Sequence, residues 1–153
     1  MELNYQEMER ELIDLLNQHN LWVLATSSND KVTARTMSIV NIGLRILMQT
    51  GNNSEKYEQI MQNPQVALCR DNIQIEGVAR IIGHPLEERN ADFIKLYKAK
   101  HDIAYELYSH LEDEVVIEIL PSKITLWKYI ASKPCRDFIY PQERIAKRIY
   151  LNQ

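Results

Sequence analysis

Between residues 21 and 50 the chain carries three short β-prone segments separated by turns too brief to hold a helix. Residues 21–26 are mostly apolar and run into the turn-forming cluster Ser27-Ser28-Asn29-Asp30. Residues 31–41 resume with two alternating sets, Val32, Ala34, Thr36, Ser38 and Thr33, Arg35, Met37, Ile39. Asn41-Ile42-Gly43 turns the chain back, and residues 44–50 form a third segment. Strands joined so tightly run antiparallel, because a parallel pair needs a crossover of a dozen residues or more. A doubly wound parallel sheet, with a helix after nearly every strand, is thereby excluded.

The remaining segments fit around such a sheet. Leu3, Met8, Leu12, Leu15 and Leu16 recur at near-helical spacing, so residues 3–18 are expected to form an amphipathic helix. Ser54 is placed to cap a helix that puts Tyr57, Ile60 and Met61 on one face and stops before Asn63-Pro64. Residues 65–70 and 73–82 read as strands about an Asp71-Asn72 turn, with Gly77 marking a bulge or a close backbone approach. Pro85 suits a first helical position for the stretch bearing Phe93, Ile94, Leu96 and Tyr97, and a second helical piece covers 103–111. Residues 115–120 and 124–130 read as two strands broken by Pro121-Ser122, and in the tail residues 142–150 suit a helix. The expectation is a mainly β, α+β fold: a six- to seven-stranded antiparallel barrel, closed or half closed, with flanking helices. Residues 1–153 suit one domain, with a core over 21–130 and a tail over 134–153.

Several classes of function find no support. Lys and Arg number 18 against 21 Asp and Glu, a net charge of −3, so no global field draws the chain to nucleic acid or membrane. The acidic start, with Glu2, Glu7 and Glu9, lacks the pattern of a secretory signal, and a cytoplasmic location is expected. Cys69 and Cys135 are far apart; a disulfide is not expected, and Cys69 reads as a small buried residue within Val66-Ala67-Leu68-Cys69. His19, His84, His101 and His110 have no metal-ligand spacing, so no metal site is expected. Arg136, Arg144, Lys147 and Arg148 read either as a solvated helix face or as a contact for an anion or RNA.

With four glycines in all, no GxGxxG or P-loop can be written, so a phosphate site must use side chains and a helix start. The run Thr50-Gly51-Asn52-Asn53-Ser54-Glu55-Lys56 leaves a strand and enters a helix, where free N–H groups and the dipole favour an anion. Ser54 adds a hydroxyl and Lys56 a charge, although a serine cap and a solvated lysine would look the same. Arg35 lies mid-strand among Ala34, Thr36, Met37 and Ile39. It is either solvent-facing, paired with a local carboxylate, or set to grip a phosphate with its planar fork.

These pieces, in order, resemble the pyridoxamine 5'-phosphate oxidase-like family of FMN-binding split barrels. The resemblance rests on Leu24-Ala25-Thr26, Arg35-Thr36-Met37-Ser38, Thr50 to Lys56, Asn63-Pro64-Gln65-Val66-Ala67 and Ile75-Glu76-Gly77-Val78-Ala79, with a weaker echo over 124–129. It implies a split β-barrel in which Arg35, Ser54 and Lys56 hold the FMN phosphate. Thr36, Met37, Thr50 and Gly51 would line the flavin. It implies a homodimer with the flavin at the subunit interface, where Asn72, Gln74 and Trp127 contribute from the partner, and a small-molecule substrate for an FMN-dependent oxidoreductase. Two departures accompany it: Glu55 stands where the vitamin B6 oxidases tend to carry a base, and their C-terminal arginine–histidine segment is missing. Haem, a deazaflavin, a flavin held without turnover and an RNA-interaction module are the alternatives.

Overall fold

A computed structural model describes residues 1–151. Asn4 caps the first helix, α1 (Tyr5–Gln18), by accepting the Glu7 N–H at 3.0 Å. Tyr5, Met8, Leu12 and Leu16 form its buried stripe. The helix therefore starts later than residue 3; Glu2–Leu3 is instead a short strand, β1. Strands β2 (Leu21–Ser28) and β3 (Lys31–Ser38) form a hairpin over Asn29-Asp30. Both turn residues have positive φ, the geometry that matches strand twist in a two-residue loop.

The segment 31–41 is not one strand. It breaks at Ile39, whose N–H donates to the Asn20 carbonyl, and resumes as β4 (Val40–Ile42). Gly43, at φ 61°, turns β4 into β5 (Arg45–Gly51). Ser54 caps α2 (Glu55–Gln62) through the Tyr57 N–H. The buried side of α2 is Gln59 and Ile60, whereas Met61, expected inside, is exposed.

Strands β6 (Gln65–Arg70) and β7 (Ile73–Ile81) pair across the Asp71-Asn72 turn. Pro85 does not begin a helix. Asn90 spans the loop instead, donating to the Ile82 and His84 carbonyls, and α3 (Ala91–Lys100) starts only after a 3-10 turn. The second helix, α4 (Asp102–Tyr108), stops short of residue 111.

The two strands expected about Pro121-Ser122 are one 17-residue strand, β8 (Glu114–Ile130). It survives its proline because a bulge shifts the register there, pairing Gly77 with Pro121 and Glu76 with Lys123. A Cβ on Gly77 would lie 2.8 Å from the Leu120 carbonyl oxygen, so the close approach expected of this glycine is present.

The tail carries the largest correction. Residues 142–150 are not helical: β9 (Lys133–Tyr140) and β10 (Ile145–Tyr150) form a hairpin, and β10 also pairs with β1. Alternation decides it, with Ala146 buried between exposed Ile145 and Lys147; strand pairing overrides a helix-friendly composition. The last two residues of the expected tail lie outside the described residues. The basic cluster is accordingly no helix face. Arg148 turns inward onto Asp137, which is 0% exposed, with N–O distances of 2.7 and 2.8 Å.

Among the described residues the strands therefore number ten rather than six or seven, in the order β1-β10-β9-β8-β7-β6-β2-β3, with β5 joining β8 and β4. The first half of β8 lies between β5 and β7 and its second half between β7 and β9. The sheet wraps a core of Trp22, Leu24, Ile46, Met48, Leu68, Ile75, Ile117 and Ile119, but does not close. This is a split antiparallel barrel with flanking helices. A smaller apolar cluster, including Leu47, Phe93, Tyr97 and Val116, seats α3 and α4 outside it. Cys69 is exposed, contrary to expectation, and Cys135 is buried.

Candidate functional site

Edge strand β3 pairs only with β2, and a cleft of about 450 Å³ opens where its end meets β5 and α2. Thr36, Met37 and Ser38 form one wall, Thr50, Gly51 and Lys56 another, and Tyr97, Tyr108 and Glu114 the side toward α3 and α4. Five of the residues expected at a flavin site thus share one cleft. A second cleft of about 530 Å³ lies at the β2–β3 hairpin tip, but no basic side chain lines it.

Lys56 Nζ donates to Thr50 Oγ1 at 2.9 Å, and Thr50 Oγ1 donates to Ser54 Oγ at 3.1 Å. Ser54 also caps α2, so one chain of hydrogen bonds ties the lysine to the helix start. Arg35 shares the inward face of β3 with Thr33 and Met37, opposite Leu24. Its guanidinium donates to Thr26 Oγ1 at 2.8 Å, to Thr33 Oγ1, and to the Leu24 carbonyl at 3.3 Å. Gln59 Oε1 accepts from both threonine hydroxyls and holds them in place.

No carboxylate pairs with Arg35 or Lys56 among the described residues. Burial lowers the Arg35 pKa, opposed by the Glu55 charge. Burial also lowers that of Lys56, reinforced by the Arg35 charge and opposed by Glu114. Two partly buried cations that repel each other, without an acid between them, favour a bound dianion, which would reverse both penalties. Glu55 is held on the surface by Lys31 at 3.0 Å, which blunts its opposition to an anion.

Asn72, Gln74 and Trp127 do not reach this cleft within one chain. Asn72 Nδ2 donates to the Trp127 carbonyl at 2.8 Å, and Trp127 is half exposed. The register puts Thr36, Cys69, Gln74 and Trp127 on one outward face of the sheet. The same face carries the small residues Ala34, Ala25 and Ala67. Sequence reasoning passed over Gln49, Tyr97, Tyr108 and Glu114, because the segments bearing them meet only when α3 and α4 pack on β5 and β8. Among the described residues no three His, Cys, Asp or Glu side chains gather to hold a metal ion. Nor is any helix among them long and apolar enough to cross a membrane.

An open-sided split antiparallel barrel with flanking helices defines a class, and comparison with known proteins places the chain within it. The family model for pyridoxamine 5'-phosphate oxidase matches residues 8–128. The chain belongs to the pyridoxamine 5'-phosphate oxidase-like family. General stress protein 26 of Bacillus subtilis is 33% identical over 64 residues, 42% of this chain and 46% of that protein. The match thus spans about half the length of that relative.

Two solved structures share the fold at lower identity. HutZ, the haem storage protein of Vibrio cholerae, has a TM-score of 0.66 at 14% identity, covering 77% of this chain and 93% of that one. An FAD-binding protein of Mesorhizobium loti has a TM-score of 0.61 at 11% identity, covering 75% and 90%. The fold family thus includes binders of flavin and of haem.

Proposed function

We propose that this chain binds FMN, with its phosphate held by Arg35, Ser54 and Lys56 and its ring along Thr36, Met37, Thr50 and Gly51. The observation that carries the reading is a pair of partly buried cations without a carboxylate partner: Lys56 lines a cleft of ligand size, and the Arg35 charge reaches it although Arg35 itself is not on the lining. Arg35 supplies a planar fork, Lys56 a point charge, and the α2 start free backbone donors. When bound, the flavin supplies two-electron redox chemistry. The protein's part is to orient it and to set the charge around its ring, which supports an oxidoreductase acting on a small molecule.

The outward face bearing Thr36, Gln74 and Trp127 supports a homodimer in which Asn72, Gln74 and Trp127 of a second copy complete the site. The haem-binding relatives give haem as a second reading. His84 Nε2 and His101 Nε2 are each 2.8 Å from a backbone carbonyl oxygen, of Leu111 and Ile39, and neither histidine lines the cleft. Flavin is therefore the better fit. The test is the visible spectrum of the purified protein before and after adding FMN. Flavin absorbance that co-elutes with a dimer is expected; a colourless protein that takes up no FMN refutes the reading.

A further inference from the structure

Three acidic side chains are buried among the described residues, and the chain treats one of them differently. Asp137 is held by Arg148 and Lys128. Glu118, 3% exposed, is held by Arg45 at 2.6 Å and Arg80 at 2.9 Å. Glu114 lies four residues before Glu118 on the same strand and is 7% exposed; its carboxylate makes no side-chain hydrogen bond or ion pair among the described residues, and it opens onto the cleft. Lys56 and His84 both act on Glu114 through their charge, but neither bonds it, and the Lys56 ammonium donates to Thr50 instead. A mostly buried carboxylate that opens only onto a cleft is poorly hydrated and favours a cationic partner entering that cleft, whereas the other two are already paired.

What surrounds Glu114 suggests a partner from outside. The carboxylate lines the cleft beside the phenols of Tyr97 and Tyr108 and the apolar side chains of Ala104 and Leu111. Gln49 adjoins them, with its Oε1 bonded to Ser109 and its Nε2 unpartnered. The cleft therefore has adjoining walls of opposite sign: cationic at Lys56, acidic and aromatic toward α3 and α4.

We propose that Glu114 is the charge-selecting wall of a substrate subsite in this cleft, which admits a small organic cation and rejects anions. The nitrogen lies against Glu114 and the apolar part against Tyr108 and Leu111. A half-exposed tyrosine adds attraction for a cation over its ring face. The proposal rests on reading the cleft as a ligand site, and it assigns the acidic end to substrate as the phosphate reading assigns the basic end to cofactor.

The test is calorimetric titration of the full chain, with and without FMN, using benzylammonium, benzyl alcohol and benzoate as probes. The cation is expected to bind about tenfold tighter than the alcohol and benzoate weakest, as a desolvated carboxylate dictates. Glu114→Gln should erase that order while keeping FMN uptake. Equal binding of the three probes, or an unchanged cation preference in Glu114→Gln, overturns the proposal. So does loss of FMN uptake by a Glu114→Gln variant that melts like the parent, since Glu114 would then serve Lys56. If Glu114→Gln does not fold, Tyr108→Leu provides the second reading. It should weaken the cation about threefold more than it weakens the alcohol; equal losses for both overturn the proposal. If the chain takes up no FMN, the change in benzylammonium affinity between the parent and Glu114→Gln still judges Glu114, so the two readings fail separately.

Discussion

The molecule holds two inward-turned clusters of basic side chains, and they are built on opposite principles. On the C-terminal hairpin, Arg148 and Lys128 close on Asp137, and Lys128 reaches on to Glu11 of α1. At the barrel mouth, Arg35 and Lys56 meet only hydroxyls and a carbonyl. The first cluster is internally neutralised and ties β10 to β9 and α1. The second keeps unspent charge and lowers the proton affinity of its own members. A paired cation is part of the scaffold, while an unpaired one is held ready for something the chain does not contain.

The largest effect expected is at the paired cluster. Asp137→Ala leaves Arg148 without an acid and Lys128 with Glu11 alone, and should cost about 3–5 kcal/mol, read as a lower midpoint in denaturant melts. Flavin uptake by the molecules that remain folded should not change. The Asp137 carboxyl is also an acid sensor. Burial pushes its pKa up, but hydrogen bonds and charge from Arg148 and Lys128 outweigh this and hold it below the usual range. Its contribution is therefore present above the unfolded value, about 4, and lost as pH falls through the lower folded one. Acid melts of the parent should weaken below about pH 4, and those of Asp137→Asn should lack that component.

The unpaired cluster should respond the other way. Arg35→Ala with Lys56→Ala should lower FMN affinity by roughly a hundredfold, about 3 kcal/mol for two charge-assisted contacts. The melting temperature without ligand should hold or rise, because two repelling cations are gone. Unchanged affinity would end the phosphate assignment.

Ser54→Ala removes both a helix cap and a phosphate donor, and should cost about 1 kcal/mol in stability. Glu114→Gln should raise the melting temperature at neutral pH. Burial raises the Glu114 pKa, opposed by Lys56 and His84, so ionisation of this acid works against folding as pH climbs through its folded value. The smallest effect belongs to Lys31→Ala, which frees Glu55 to oppose the anion. An exposed pair is worth at most about 1 kcal/mol, so a loss of FMN affinity of a few-fold is expected.

The hairpin at Asn29-Asp30, the Ser54 cap, the Asp71-Asn72 turn and the Gly77 bulge were all legible, because each depends on residues adjacent in the chain. The proposed phosphate grip came from the family resemblance, since residue type alone left Arg35, Ser54 and Lys56 open to ordinary readings. The β10 strand was not, because its helix formers are overruled by pairing with β9. Pro121 reads locally as a break, yet the bulge opposite Gly77 carries the strand past it. Glu114, Tyr97 and Gln49 carry no local signal, since their shared cleft exists only once α3 and α4 pack against β5 and β8.

The amino-acid order thus determined the antiparallel sheet and its turns, which are governed by short-range sterics and hydrogen bonding. Only the tertiary structure decided which charges are spent and which are free. Arg148 and Arg35 are the same side chain on β-strands, and nothing local tells them apart. The difference is whether a carboxylate from elsewhere arrives within bonding distance: Asp137 does so for one, and no acid among the described residues does so for the other.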